Sequence, residues 1–282
     1  MVTQSNDDEA GLVRLGAPID ARPLFGPELQ ALLGLLRGLR PAEWERIAVP
    51  GWTVHDVAAH LLGDYRARLG LREPPAPFAP GETLEAFVHR ANQEWVERHR
   101  GVGAAALVEA LERNGTELVH HFARVDLDAP ALGVSWAGAD PAPMWLDCAR
   151  EFTEHWTHRQ QIRLAAGLDT DAEPRALALV LDTFMRALPH TLRDTEAPDG
   201  TQVEVAVGGV VEAAWTVTAG PGGWSLAEAS EDRPAATVRL DAETAWRLCT
   251  RGIQPAAALT RAGIEGDHRL AEAVCRIVSV VY

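Results

Sequence analysis

Lysine is absent from this chain of 282 residues, and all 26 of its basic residues are arginine. Without a lysine amine the chain cannot form a Schiff base, and it lacks the lysine that P-loop and kinase mechanisms require. Acidic residues number 40, so the formal net charge at pH 7 is -14. Because nucleic-acid binding needs a basic surface, this charge argues against a nucleic-acid partner.

Cysteine is also scarce. The three cysteines, Cys148, Cys249 and Cys275, are far apart and form no CxxC motif. An odd number of separated cysteines is typical of reduced thiols in a cytosolic protein. We therefore expect all three to be small core side chains.

Long hydrophobic runs are missing as well. No apolar run approaches the roughly 18 residues that a membrane-spanning helix needs, which argues against a membrane partner. The N-terminal stretch MVTQSNDDEAG is polar and acidic, unlike a secretory signal peptide. It predicts a short disordered tail, and the expected location is the cytoplasm.

Helical periodicity runs through the first two-thirds of the chain. Apolar spacing, N-cap residues and Pro- or Gly-rich breaks predict helices at residues 27–39, 53–70, 83–100, 104–125, 144–166 and 171–193. Near residue 196 the pattern changes to β-formers punctuated by GG and GPGG, and two short helical segments follow. The sequence therefore predicts two domains, a helical domain over residues 1–195 and a small α+β domain over residues 196–282.

The segment EFTEHWTHRQQIR, residues 151–163, is unusually rich in carboxylates and imidazoles. On a helix, five polar residues of this region share a stripe about 80° wide, namely Asp147, Glu151, Glu154, His158 and Gln161. Glu154 and His158 have the i, i+4 spacing that lets two side chains reach one metal ion, and so do Glu151 and His155. The spacing leaves both pairs open, and a solvated helix face is the alternative to a metal site.

A third metal ligand must come from another helix. The segment that opens on Thr53 as N-cap, with Asp56 in the capping-box position, carries both His55 and His60. These histidines point about 140° apart, and the helical wheel does not choose between them. Two histidines and one carboxylate form an open ligand set of the kind found in catalytic zinc sites. Asp64, one turn after His60, is a candidate to orient the imidazole or else a surface residue.

The motif VPGWTVHDVAAHLLG, residues 49–63, resembles the N-terminal signature of the mycothiol-dependent maleylpyruvate isomerase family, part of the DinB-like superfamily of helical metalloproteins. EHWTHRQQIRLAAG, from residue 154, is similar to the second motif of that family. This resemblance implies His60, Glu154 and His158 as the metal ligands. ATVRLDAETAWRLCTRG and GIEGDHRLAEAV are similar to the C-terminal domain of the family. The implied fold class is a DinB-like four-helix bundle followed by a small sterol-carrier-like α+β domain.

The resemblance also implies a chemistry. We expect a divalent metal, zinc, with mycothiol as cosubstrate, and a thiolate that attacks a small electrophilic second substrate in an isomerase or transferase reaction. The family uses an arginine of its C-terminal domain, for which Arg251, Arg261 and Arg269 are candidates. The alternative is a metal-retaining binding protein that holds an apolar small ligand without catalysis. The expected assembly is a monomer or a homodimer.

Overall fold

The structure, a computed structural model, describes residues 14–227 and 233–280. The N-terminal tail predicted to be disordered lies outside these residues. The first part of the chain is mainly helical, with the elements α1 (Phe25–Gly38), α2 (Pro41–Trp44), β1 (Ile47–Val49), β2 (Trp52–Thr53), α3 (Val54–Arg68), α4 (Leu84–His99), α5 (Ala104–Phe122), β3 (Pro130–Ala131), β4 (Ala142–Pro143) and α6 (Met144–Ala165).

The second part combines a sheet with short helices. Its elements are α7 (Pro174–Met185), α8 (Leu188–Thr191), β5 (Gln202–Gly208), β6 (Ala213–Gly220), β7 (Gly223–Ala227), β8 (Ala236–Asp241), α9 (Ala242–Cys249), α10 (Pro255–Arg261), β9 (Gly263–Gly266) and α11 (His268–Val274). The predicted fold class, a helical N-terminal region followed by an α+β region, is confirmed. No helix within the described ranges is long and apolar enough to cross a bilayer.

Contacts divide the chain into two compact units that are interleaved in sequence. The helical unit contains Ala21–Asp126 and Glu151–Asp171, and the sheet unit contains residues 14–20, Leu127–Arg150 and the described part of residues 172–280. These units follow spatial contacts and not chain order. The predicted domain boundary between residues 195 and 196 stays a prediction.

Helix α3 begins where the sequence predicts it. The hydroxyl of Thr53 accepts a hydrogen bond from the backbone N–H of Asp56 at 3.2 Å, and the Asp56 carboxylate accepts one from the Thr53 N–H at 3.0 Å. This reciprocal capping box satisfies two backbone donors that a helix start otherwise leaves unpaired. It starts the helix so that His60 lies in the middle of α3, where it is buried.

Two glycines allow close helix packing in the helical unit. A Cβ added at Gly63 of α3 would lie 2.6 Å from the indole Nε1 of Trp95 on α4. A Cβ at Gly115 of α5 would lie 2.5 Å from Leu29 Cδ1 and 3.1 Å from Tyr65 Cε2. The distances of 2.6 and 2.5 Å are too short for a methyl group, so the absence of a side chain at these two glycines lets the helices approach this closely.

Gly115→Ala is expected to lower the free energy of unfolding by about 1–3 kcal/mol. Alanine is the better helix former by about 1 kcal/mol, but overpacking against Leu29 and Tyr65 outweighs that gain. The matched control is Gly34→Ala in α1, where an added Cβ meets no atom of the described chain within 4 Å. Urea unfolding should show Gly34→Ala stabilised by about 0.5–1 kcal/mol. Equal effects at the two sites would contradict the packing argument.

The sheet unit contains a five-stranded mixed sheet in the order β7-β6-β5-β8-β9. Strands β5 and β8 are parallel, with Val205 opposite Val238, and the other neighbours are antiparallel. Alternate residues of β5 are buried, as expected for a strand with one face on the core. Cys148, Cys249 and Cys275 are all buried and form no disulfide, which confirms the expected core role.

The sequence prediction was wrong about the last helix before the sheet. The segment predicted as one helix over residues 171–193 is two helices, α7 and α8, with a break at Arg186 and Ala187. Pro189 lies in the first turn of α8 and has no N–H to donate to the preceding turn. A continuous helix would lose that hydrogen bond, so α7 ends and a new one-turn helix begins.

Candidate metal centre

Three side chains from two helices converge in the helical unit. His60 of α3 and both Glu154 and His158 of α6 each offer one ligand atom, and these atoms all lie within 4.8 Å of one another. The imidazole rings of His60 and His158 meet edge to face with centroids 4.8 Å apart. Glu154 Oε2 lies 3.5 Å from His158 Nε2, as the i, i+4 spacing allows. The side chains singled out through the family resemblance are therefore neighbours in space.

The second carboxylate–imidazole pair of α6 has a different environment. Arg68 of α3 approaches Glu151 Oε2 through both Nε and a terminal guanidinium nitrogen, each at 2.9 Å. His155 Nε2 lies 3.6 Å from Glu151 Oε1, and the His155 ring packs 4.7 Å from that of Tyr65. The charge of Glu151 is thus already compensated by an arginine, whereas no arginine makes an ion pair with Glu154 among the described residues.

His55, the other candidate on α3, lies outside the cluster. Its Nε2 is 2.7 Å from the backbone carbonyl oxygen of Val102, and its ring contacts that of Trp44 at 6.1 Å. The angular separation of about 140° on the helix therefore sends one histidine to the α6 cluster and the other to a loop carbonyl.

The clustered histidines are each held by a neighbouring side chain. His158 Nδ1 lies 2.7 Å from Gln161 Oε1, and His60 Nε2 lies 3.2 Å from Asp64 Oδ2. His60 Nδ1 is buried and has no hydrogen-bond partner among the described residues. Sequence reasoning placed Gln161 on the polar stripe but assigned it no role, although its i+3 spacing from His158 is a usable signal.

Trp52, which precedes α3, forms one wall beside His60. Its ring centroid is 5.0 Å from that of the imidazole, and its indole N–H donates to Gln93 Oε1 at 2.8 Å. This hydrogen bond joins β2, just before α3, to α4. Trp52 is half-buried.

Burial dominates the electrostatics of the cluster. It lowers the pKa of His60 well below its usual value, and the nearby His158 and Arg72 act in the same direction. Burial also lowers the pKa of His158 and raises that of Glu154. For Asp64, burial and then the charges of Glu151 and Glu154 raise the pKa well above its usual value. Neutral imidazoles beside carboxylates that lack a compensating charge form a donor set that a cation would stabilise.

The pKa of Glu151 shifts in the opposite direction from that of Glu154. Burial works to raise its pKa, but the positive charge of Arg68 and the contact with His155 outweigh burial and lower the pKa to about 2. Because the folded-state pKa is below that of an unfolded chain, the pair stabilises the fold above about pH 4.5. That contribution is lost as the pH falls towards 2.

Arg68→Met is expected to lower the free energy of unfolding by about 2–3 kcal/mol at pH 7, because it leaves the Glu151 charge buried without its partner. The difference from the wild type should shrink as the pH falls from about 4.5 towards 2. Urea unfolding of both proteins at several pH values measures this difference in the free energy of unfolding. The control is Arg37→Met, which removes a surface pair with Glu112 whose side chains are 49% and 47% exposed. That change should cost less than about 1 kcal/mol. A pH-independent Arg68→Met effect would refute the charge argument.

The three arginines considered for a C-terminal catalytic role all lie in the sheet unit. Arg251 has a left-handed backbone with φ of 56° in the loop after α9. Arg261 ends α10, and Arg269 in α11 donates to the backbone carbonyl oxygen of Glu196 at 3.1 Å. These environments do not single out one of them.

The fold and the cluster define a class of protein, a helical domain in which α3 and α6 bring two histidines and one glutamate together, joined to an α+β region. Residues 25–163 match the family model described as the mycothiol maleylpyruvate isomerase N-terminal domain. This match assigns residues 25–163 to the N-terminal domain of that family, as the sequence motifs predict. The matched range includes His60, Glu154 and His158.

Comparison with other proteins adds two solved structures. One is a crystal structure of the mycothiol-dependent maleylpyruvate isomerase, with TM-score 0.49 and 14% identity, covering 80% of this chain and 86% of that chain. The other is a mutant of that enzyme in which a histidine is replaced by alanine, with TM-score 0.45, 15% identity and the same coverage. No curated protein sequence matches the chain.

Proposed function

We propose that this protein is a mycothiol-dependent isomerase or transferase, with a divalent cation, zinc, held by His60, Glu154 and His158. The observation that supports the proposal most strongly is the convergence of these three ligand atoms within 4.8 Å of one another. The family match over residues 25–163 supports the choice of mycothiol as the thiol.

The donor set fits zinc. Two imidazole nitrogens and one carboxylate oxygen are ligands that zinc accepts, and burial keeps both imidazoles in the neutral form that a metal needs. His60 has a buried nitrogen without a partner among the described residues, so its lone pair is available. Three protein ligands leave a fourth position, which distinguishes a catalytic from a structural zinc site.

The nucleophile must come from outside the chain. Burial raises the pKa of Cys249 to about 12 and that of Cys275 to about 11, and Cys148 is buried too. Neither Cys249 nor Cys275 is a reactive thiolate near neutral pH. A divalent cation at the cluster would supply the positive charge that keeps a cosubstrate thiol deprotonated at that pH.

The proposed reaction begins with a carbon–sulfur bond. The thiolate adds its electron pair to an electrophilic carbon of the second substrate, and the π electrons of the attacked double bond shift to a neighbouring electron-withdrawing group. After rotation about the resulting single bond, the electron pair returns to re-form the double bond and expels the thiolate, which gives an isomer and regenerates the thiolate, whereas protonation of the adduct gives a conjugate. His60, Glu154 and His158 would position the sulfur, and half-buried Trp52 would form one wall of the site.

A screen of electrophiles tests this function. Protein, mycothiol and a panel of unsaturated acids, ketones and epoxides are mixed, and thiol consumption and substrate isomerisation are followed with and without a chelator. We expect turnover with at least one electrophile, its loss with chelator and its return with zinc. Turnover that survives complete metal removal, or turnover that needs no thiol, would contradict the proposal.

The alternative of an apolar-ligand binding protein has less support. The apolar cavity of the sheet unit, lined by residues such as Met185, Val205 and Cys249, has a volume of about 10 Å³. That is about the space of a single water molecule. A sterol or fatty acid would not fit in this cavity.

A further inference from the structure

We propose that Gln161 is a positioning residue that fixes the tautomer of His158 before any cation binds. The inference rests on the proposed function, because it assumes that His158 is a metal ligand. In this role Gln161 accepts a hydrogen bond from His158 Nδ1–H, so that the lone pair of the imidazole lies on Nε2.

The geometry places the two groups in direct contact. Gln161 follows His158 by three residues on α6, so both side chains share one face of the helix. Gln161 Oε1 lies 2.7 Å from His158 Nδ1, a short hydrogen bond to a carbonyl oxygen. A neutral imidazole carries one N–H and one lone pair, so a proton on Nδ1 leaves Nε2 as the acceptor.

The competing tautomer has a weaker partner. With the proton on Nε2, the acceptor would be Glu154 Oε2 at 3.5 Å, a long contact compared with the 2.7 Å to Gln161. That tautomer would also tie up two proposed ligand atoms in one hydrogen bond. The amide of Gln161 therefore favours the state in which both Nε2 and Glu154 remain available.

The partner of His158 differs in charge from that of His60. His60 Nε2 lies 3.2 Å from the carboxylate of Asp64, whereas His158 meets a neutral amide. A neutral acceptor orients the ring without adding another negative charge to a partly buried site that already holds Glu154 and Asp64. Gln161 thus orients His158 at no cost in charge repulsion.

The experiment uses the full chain and two substitutions. Gln161→Met keeps the length of the side chain but removes the acceptor, and Gln161→Glu keeps an acceptor oxygen. In metal-free protein, the ¹⁵N shifts of the His158 imidazole report its tautomer. We expect the Nδ1–H form in the wild type and in Gln161→Glu, and a shift towards Nε2–H in Gln161→Met.

Zinc affinity, measured by competition with a chromophoric chelator, is the second readout. Gln161→Met should bind zinc about 10–100-fold more weakly than the wild type, and Gln161→Glu should restore at least part of that loss. Gln30→Met, an exposed glutamine on α1, is the matched control and should leave both readouts unchanged. Thermal unfolding of each variant checks that the fold is retained.

The outcomes separate this inference from the proposed function. An unchanged His158 tautomer in Gln161→Met, an unchanged zinc affinity in that variant, or no recovery in Gln161→Glu would each overturn the role of Gln161. Failure of the metal site itself would instead show as full zinc retention in alanine variants of the proposed ligands. The tautomer measurement in metal-free protein does not depend on that result.

Discussion

Replacing any one of His60, Glu154 or His158 by alanine is expected to abolish stoichiometric zinc binding. Each substitution reduces three protein ligands to two, and two side chains rarely hold zinc against water and buffer. The affinity should fall at least about 100-fold, which corresponds to about 2.7 kcal/mol. Elemental analysis of the purified variants after dialysis gives the zinc content per chain directly.

A matched control separates ligand loss from a general effect of histidine removal. His120 is exposed on α5, away from the cluster, and His120→Ala should retain the zinc content of the wild type. Thiol-dependent turnover should follow the zinc content in all four variants. Full zinc retention in His60→Ala, Glu154→Ala and His158→Ala together would rule out this metal centre.

Arg159→Met is expected to lower the free energy of unfolding by about 3–5 kcal/mol, the largest stability effect that we predict. Arg159 of α6 is 2% exposed, and its guanidinium meets both carboxylate oxygens of Glu28 at 2.5 and 2.9 Å. A third nitrogen donates to Asp171 at 2.6 Å. Removing the arginine leaves the charge of Glu28, itself only 4% exposed, buried without a partner.

After Arg159 is removed, water should reach the carboxylate of Asp171 more easily than that of Glu28. The Asp171 side chain is 40% exposed and can be rehydrated, whereas Glu28 cannot reach water without local unfolding. Adding Glu28→Leu to Arg159→Met should therefore restore most of the lost stability, because the buried pair becomes an apolar contact. Urea unfolding followed by tryptophan fluorescence gives the free energy of unfolding of the wild type, Arg159→Met, Glu28→Leu and the double variant. These four values complete the double-mutant cycle.

Arg113→Met on the exposed face of α5 is the control for Arg159→Met. It should change the free energy of unfolding by no more than about 0.5 kcal/mol. A loss below about 1 kcal/mol in Arg159→Met would mean that water reaches Glu28 after the substitution. Lack of rescue in the double variant would mean that the site cannot repack around an apolar pair.

The helix starts could be predicted because their causes are local. Thr53 and Asp56 are three residues apart, and their reciprocal hydrogen bonds need no partner from elsewhere in the chain. The helical segments of the first half agree with the sequence prediction to within about three residues at each end. Short-range chemistry of this kind is visible in the sequence alone.

Two strands of the five-stranded sheet escaped prediction because their pairing is not local. β9, with the sequence GIEG, pairs with β8 through Val238 opposite Ile264. β7 begins with a glycine and completes a hairpin with β6. Neither short, glycine-containing segment has a strong β pattern, and each becomes a strand because a neighbouring strand offers its backbone hydrogen bonds.

Helical spacing is a local property, so most of the long helices and the two carboxylate–imidazole pairs on α6 could be recognised in the sequence alone, as could the family resemblance. The sequence made the Glu151–His155 and Glu154–His158 pairs equivalent by spacing, and only the family motifs favoured one of them. The tertiary structure distinguished their environments: α3 brings Arg68 to Glu151 and His60 to His158. The physical reason is that spacing on one helix decides which side chains can reach the same point. Charges and ligands from another helix decide which of the two pairs remains available to bind a cation.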